Sequence, residues 1–432
     1  MSQIAARSGT GAHMGHEPAH VAARRELDLN AVTLAPGATS MLSNLFLIAG
    51  LLFVAALVVT SWGGDIAHAM AAYHMGFMYC VGLAVACLGM QMIFQQFNAG
   101  WAAAVRRQAE NISSCVWVCA LLFVPIVVLE MFFYHGKLFH WMDPSLTDPL
   151  SSHYDTLAVK KQAFLNPAFW LVRAGIYFAI WIFLATKLGR MSREQDRTGD
   201  KWLTARARRI SSVGLLLFAL TAAFASFDWL MSLDYHWFST MFGVYFFAGA
   251  IRAAVALITI ILCVLMIRGK LGAAFTKEHL HDTGKLLFAF TVFWAYITFC
   301  QYFLIWYSNI PEETAWYNAR VSPAWQPFPA IMVAFNFVLP FLLLLVRVLK
   351  RNPRTLAPIA LICMIAYAMD LYFVVRAMIG AAPWDHMLID FFGLLGPLCL
   401  FLGVVIRKIG TAPLIPLKDP RLHEVLGHKN YV

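Results

Sequence analysis

The sequence predicts an all-α, polytopic membrane protein of about ten transmembrane helices. Three observations predict it. Only 13% of the 432 residues are charged and 60% are hydrophobic, whereas soluble domains carry roughly a quarter charged residues. The mean hydropathy of +0.67 leaves too little polar material to cover a soluble surface. The apolar runs reach about 20 residues, the length a helix needs to cross hydrocarbon, and show no two-residue alternation. Hydrocarbon cannot hydrogen-bond a bare backbone, so the spanning elements are helices or a closed barrel. The missing alternation excludes the barrel.

Ten spans are expected, at 42–62, 66–95, 113–133, 166–187, 209–231, 239–267, 283–307, 325–347, 356–380 and 384–408. Pro125, Pro340 and Pro397 fall inside spans, where neighbouring helices can re-satisfy the freed carbonyls. Residues 1–40 read as a polar tail without a signal-peptide pattern. Residues 41–410 form the membrane domain and 411–432 a second tail. His13, His16 and His20 in the first tail could bind a metal or be solvated.

Basic residues assign the sides. With the N-terminus inside, the inner segments hold clusters such as Arg106-Arg107, Lys187 to Arg209, Arg268 to Lys285, Arg347 to Arg354 and Arg407-Lys408. The outer loops hold Lys137, Lys160, Lys161 and Arg320. Cytoplasmic loops attract positive charge, so both termini are expected in the cytoplasm, which requires an even number of spans. The net charge of +10 thus reads as a topology signal rather than a nucleic-acid footprint. Two outer loops, 134–165 and 308–324, are candidate docking surfaces or plain connectors.

Several chemistries have no motif here. Cys80, Cys87, Cys115, Cys119, Cys263, Cys300, Cys363 and Cys399 lie in apolar spans with no C-x-x-C pair. That excludes covalently attached c-type haem and argues against a cysteine-bound iron–sulfur cluster. His74 is the clear intraspan histidine, with His68, His236 and His386 at outer helix ends, a poor set for a b-type haem. No Walker or dinucleotide motif occurs. No metal site and no catalytic residue are expected.

The informative feature is charge inside the membrane, where each ionised group costs roughly 2.5–3.5 kcal/mol on insertion scales. The set is Glu130, Arg173, Asp228, Arg252, Asp370, Arg376 and Asp390, with His74 beside it. It leans towards the outer leaflet and reaches inward through Asp370 and Arg252. These residues, with Asp234 and His236, either form a proton path open to the outside or pair up to fix helix register. The stretch from Phe227 to Phe238 contains Asp228, Asp234 and His236 among aromatics. It reads as an interfacial aromatic belt or as an entrance for a quinone ring. Asp228 and Asp370 sit in loosely similar contexts, hinting at a parallel repeat of two four-helix units over 66–231 and 239–380.

Two runs carry a resemblance. One is Ala225 through Asp228-Trp229-Leu230-Met231-Ser232-Leu233-Asp234-Tyr235-His236-Trp237-Phe238 to Phe242-Gly243-Val244-Tyr245. The other is Phe293-Trp294-Ala295-Tyr296, then Gln301-Tyr302, Leu304-Ile305-Trp306-Tyr307 and Asn309-Ile310-Pro311-Glu312-Glu313-Thr314. The chain resembles the ActF subunits of bacterial alternative complex III, a quinol:cytochrome c oxidoreductase, which are similar to NrfD and polysulfide-reductase membrane subunits. The resemblance covers about residues 40–410. It implies ten helices, as two four-helix bundles flanked by the first and last. It implies the bacterial cytoplasmic membrane and partner subunits carrying c-type haems, iron–sulfur clusters and a second NrfD-like fold. It implies no redox cofactor in this chain, and a role in proton movement coupled to quinol oxidation. If menaquinol or ubiquinol binds here, His74, Asp228 and His236 are the polar groups to accept its hydroxyl protons. A stand-alone secondary transporter and a structural anchor for peripheral redox subunits are the alternatives.

Overall fold

A computed structural model describes residues 28–62, 64–379 and 382–430. The histidines of the N-terminal tail lie outside these residues. Among those described there is no strand, and ten helices are long and apolar enough to span a membrane. The chain is an all-α, multi-pass membrane protein. The helices are α1 (Ser40–Ser61), α2 (Ile66–Gln96), α3 (Ala103–Phe133), α4 (Pro167–Thr198), α5 (Trp202–Leu233), α6 (Phe242–Ile267), α7 (Lys277–Ser308), α8 (Pro327–Leu345), α9 (Pro353–Ile379) and α10 (Met387–Ile409).

Local chemistry sets many of the ends. Asp65, Asn166, Thr276 and Asn352 accept hydrogen bonds from first-turn amides of α2, α4, α7 and α9, satisfying donors the helix leaves free. Pro167 and Pro353 occupy first-turn positions, where a missing N–H costs nothing. Gly199 ends α4 at φ +75° and Asn309 ends α7 at φ +51°, left-handed positions that suit these two residues.

Several helices run beyond the expected spans on one face. α3 begins at Ala103 rather than 113, α4 continues to Thr198, α5 starts at Trp202 and α7 at Lys277. Hydropathy misses these turns because they are charged. The first turns of α3 are nonetheless buried, including Arg106, Arg107, Gln108, Glu110 and Asn111.

Burial ranks the helices. The most apolar stretch of α2 is 94% buried and that of α6 67%, against 17% for α1. The central pair α2 and α6 pack on each other; α6 also packs on α7 and α9, and α10 lies along α1 and α2. Gly76 of α2 meets Gly393 of α10, where a Cβ on Gly393 would stand 2.5 Å from the Ala72 carbonyl carbon. Small residues thus let two backbones close on each other.

Both described chain ends lie on the same face. The Leu271 amide, between α6 and α7, donates to the Ala31 carbonyl at 2.7 Å, and the Leu414 amide donates to the Val32 carbonyl at 2.8 Å. We call this the tail face and its opposite the far face.

Candidate functional site

The charges expected inside the membrane separate into paired and unpaired groups. Arg173 and Tyr177 stand one turn apart on α4, so both reach the same point. That point is Asp228 on α5. Arg173 donates from Nε to Oδ2 at 2.8 Å and from Nη2 to Oδ1 at 2.7 Å, and the Tyr177 hydroxyl donates to Oδ2 at 2.7 Å. The guanidinium also donates to the Phe164 carbonyl at 2.9 Å and lies over the Phe164 and Phe169 rings. Asp228 is fully buried. A bidentate, buried and saturated pair of this kind fixes helix register.

Asp390 on α10 forms the second paired centre. Its Oδ1 is 2.8 Å from His68 Nε2 on α2, and its Oδ2 accepts from Arg376 Nε and the Tyr372 hydroxyl of α9, each at 3.2 Å. This centre ties together three helices at the far face.

Asp370 on α9 differs. Its Oδ1 accepts a hydrogen bond from the Tyr245 hydroxyl of α6, and its Oδ2 accepts the Trp294 indole N–H of α7 at 3.1 Å. Asp370 is 3% exposed and is in no ion pair among the described residues. Arg252, the other charge near mid-span, turns to α8. It donates to the Asn336 carbonyl at 2.6 Å and to the Asn336 side-chain oxygen. Asn336 sits in a π-turn, Ala334–Val338, a wider turn that frees a carbonyl from the regular ladder. The Arg252 guanidinium lies 4.7 Å from the Trp294 ring centroid. Tyr245 and Arg252 are two turns apart on one face of α6, so α6 serves the acid and carries the diverted base.

Glu130 is also without a cation among the described residues. It lies in the π-turn Leu129–Phe133, fully buried, and accepts from the Leu138 and Phe139 amides at 3.0–3.3 Å. Its carboxyl caps the loop that follows α3.

His74 and Asp228 adjoin one aromatic cluster, in which Phe139 packs on His74 and on Trp170 and the Trp170 indole donates to the Asp228 carbonyl at 3.1 Å; no hydrogen bond joins His74, Asp228 and His236 directly. His74 Nε2 lies 2.6 Å from the Trp229 carbonyl; a carbonyl only accepts, so Nε2 carries the proton. His236 is exposed, 2.8 Å from Asp155 Oδ2, which also accepts the Tyr235 hydroxyl at 2.7 Å. Burial would raise the Asp155 carboxyl, but hydrogen bonds from Tyr235, the Leu157 amide and His236 hold it below its ordinary value. Asp234 accepts the His236 amide at 3.1 Å.

The far face is hollowed by two adjoining cavities of about 440 and 410 Å³. They share Gly136, His140, Asp143, Leu233 and Met378. Asp234 and His236 line the first, Asp65 and Val375 the second. Val375 is five residues from Asp370 on α9, a rise of ~7.5 Å. The vestibule therefore reaches α9 about one and a half turns along the helix from the unpaired acid, on a different side of that helix.

Two features were not legible in the sequence. Arg320, counted there as an outer-loop charge, is fully buried at the end of the helix Pro311–Arg320. It donates to the Trp316 carbonyl at 2.7 Å and to the Phe373 and Val374 carbonyls at 3.0 and 2.7 Å. It thus caps the C-terminal end of α9, where carbonyls lack helical partners and a cation is favoured. Burial lowers its pKa to about 9. On the tail face, Arg106 bonds Glu110 at 2.9 Å and Asp419 at 2.7 Å, and Arg421 bonds Asp419 at 3.0 Å through each of Nε and Nη2. Arg107 pairs with Asp196, whose other oxygen accepts the Leu417 amide at 2.8 Å. Arg106 and Arg107, read as topology charges, are the buried anchor of the C-terminal tail. Apart from Glu110, the acids that meet them, Asp419 and Asp196, are far away in sequence.

The chain matches no protein-family model and no curated protein.

Proposed function

We propose that this chain is a cofactor-free membrane subunit of a bacterial quinol:cytochrome c oxidoreductase of the alternative complex III type, and that it conducts protons. The observation that carries the proton reading is Asp370. It is a buried carboxyl inside a spanning helix, without a cation in contact among the described residues. A group held by two neutral donors can take up and lose a proton without breaking an ion pair, which Asp228 and Asp390 cannot do. The redox assignment rests on the two sequence runs that resemble ActF. The electron carriers, c-type haems and iron–sulfur clusters, belong in this reading to partner subunits, beside a second NrfD-like subunit. The basic clusters support a cytoplasmic tail face, with the vestibule opening outward in this reading.

Two measurements test the two halves of this reading. A reduced-minus-oxidised absorption spectrum of what co-purifies with the tagged chain in mild detergent tests the complex. A retained c-type haem signal supports it, and a colourless preparation from haem-containing membranes overturns it. Proton uptake by proteoliposomes holding the purified assembly tests the path. Asp370→Asn abolishes uptake with the helical content unchanged. Unchanged uptake in that variant favours the reading as a structural anchor, to which the two saturated ion pairs already lend support.

A further inference from the structure

A third cavity lies on the opposite flank of α2 from the Asp370 chemistry. It is a groove of about 460 Å³ among α1, α2 and α3, within the roughly 300–1,000 Å³ of small-molecule sites. Its origin is covalent. Pro125 removes an amide from α3, and the helix then widens into the π-turn Leu129–Phe133. Both re-aim the end of a helix, which leaves α3 standing off α1.

The lining is apolar: Leu57, Met70, Ile126 and Leu138 are each less than 9% exposed and form the deep wall. The mouth is made by Val58 and Trp62, 52% and 85% exposed. α1 is the least buried of the spanning helices, so the groove continues the surface that the chain turns to lipid. Of the three hydroxyls on its wall, those of Ser61, Tyr73 and Tyr134, the first two have already given away their hydrogens. Ser61 donates to the Val58 carbonyl at 3.1 Å and Tyr73 to the Leu122 carbonyl at 3.0 Å. A bound water needs two to four polar partners, and the head of a quinol needs partners for its oxygens. Against these few hydroxyls the rest of the lining is almost wholly apolar. What the surroundings offer, and what the walls accept, is an alkyl chain.

The groove also has a polar end. Leu138 lines both the groove and the far-face vestibule, whose rim on this side carries Lys137 and Asp65. A cation and an anion together complement the phosphate and amine of a zwitterionic headgroup. We propose that this groove binds one phospholipid, with an acyl chain among Leu57, Met70 and Ile126 and its headgroup at Lys137 and Asp65. This inference does not depend on the redox reading.

The test uses the full chain in phosphatidylethanolamine nanodiscs doped with a phosphatidylethanolamine that carries a diazirine on one acyl chain. After photolysis, labelled residues are mapped by peptide mass spectrometry. Labels several-fold denser on the groove residues of α1, α2 and α3 than on the lipid-facing Val213, Leu216 and Leu220 of α5 are expected. Ala69→Phe, which fills the groove, reduces groove labelling to the α5 level and leaves α5 unchanged. Should that variant fail to fold, the wild-type chain is stripped of lipid and re-titrated with unlabelled phosphatidylethanolamine, which must displace the groove label selectively. Even labelling of all lipid-facing helices overturns the proposal. So does displacement by an isoprenoid quinone but not by phospholipid, or groove cross-links to another polypeptide in native membranes.

Discussion

Arg252 and Asp370 meet at Trp294 and not at each other. The guanidinium lies over the indole face at 4.7 Å, while the carboxylate takes the indole N–H at 3.1 Å. An aromatic ring therefore stands between the two charged side chains. The acid keeps two neutral donors, and the base is held by Asn336. In the first half of the chain Arg173 and Asp228 meet directly.

Trp294→Phe keeps the ring and removes the indole donor. Asp370 then loses one of its two hydrogen bonds, a cost of about 1–3 kcal/mol for a buried acceptor. Thermal unfolding in detergent should show this loss, and proton uptake by proteoliposomes should change in the same variant. Under the anchor reading only the stability falls.

The Arg173–Asp228 pair should behave as a register lock. Asp228→Asn or Arg173→Met alone leaves a buried charge without its partner and costs about 3–5 kcal/mol. The double variant Arg173→Met with Asp228→Leu should recover most of that loss. A double-mutant cycle on unfolding midpoints measures the coupling, and additive single losses would contradict the lock.

The C-terminal tail should release in acid. Burial alone would raise the Asp419 carboxyl, but Arg106 and Arg421 outweigh it and hold the group well below the usual carboxylate range. A depressed folded pKa gives stabilisation that is complete above the unfolded value of about 3.9 and disappears as the pH falls through the folded one. Hydrogen exchange of residues 414–427 should therefore be protected at neutral pH and lose protection below about pH 4. Asp419→Asn should show the acid-like exchange already at neutral pH.

Two glycines should respond in opposite ways to alanine. Gly393→Ala drives a Cβ into the backbone of α2 and should cost about 1–3 kcal/mol through overpacking. Gly175, inside α4, has no heavy atom within 4 Å of its Cβ position. Gly175→Ala should be neutral or stabilising by up to about 1 kcal/mol. Unfolding midpoints of the two variants decide this.

Much of the fold was legible because hydrocarbon imposes a simple rule. A run of apolar residues long enough to cross must be helical, and the ten runs in the sequence appear as α1 to α10. The charged residues inside those runs were legible for the same reason, since each stands out against an apolar background. What they would do was not legible. Asp228 and Asp370 occupy similar sequence contexts, yet one meets an arginine from α4 and the other a tyrosine from α6 and a tryptophan from α7. Arg106, Arg107 and Arg320 read as surface charges because their partners, Asp419, Asp196 and the carbonyls of α9, are distant in sequence.

The sequence by itself determined the number of spanning helices, their order and the identity of the charges they carry into the membrane. Composition and run length are local properties, and the lipid enforces them segment by segment. The tertiary structure alone decided which charges are neutralised by a partner, which are left to neutral donors, and where α3 stands away to open a groove. Those outcomes depend on the rotation of one helix against another, and no local pattern of residues encodes that angle.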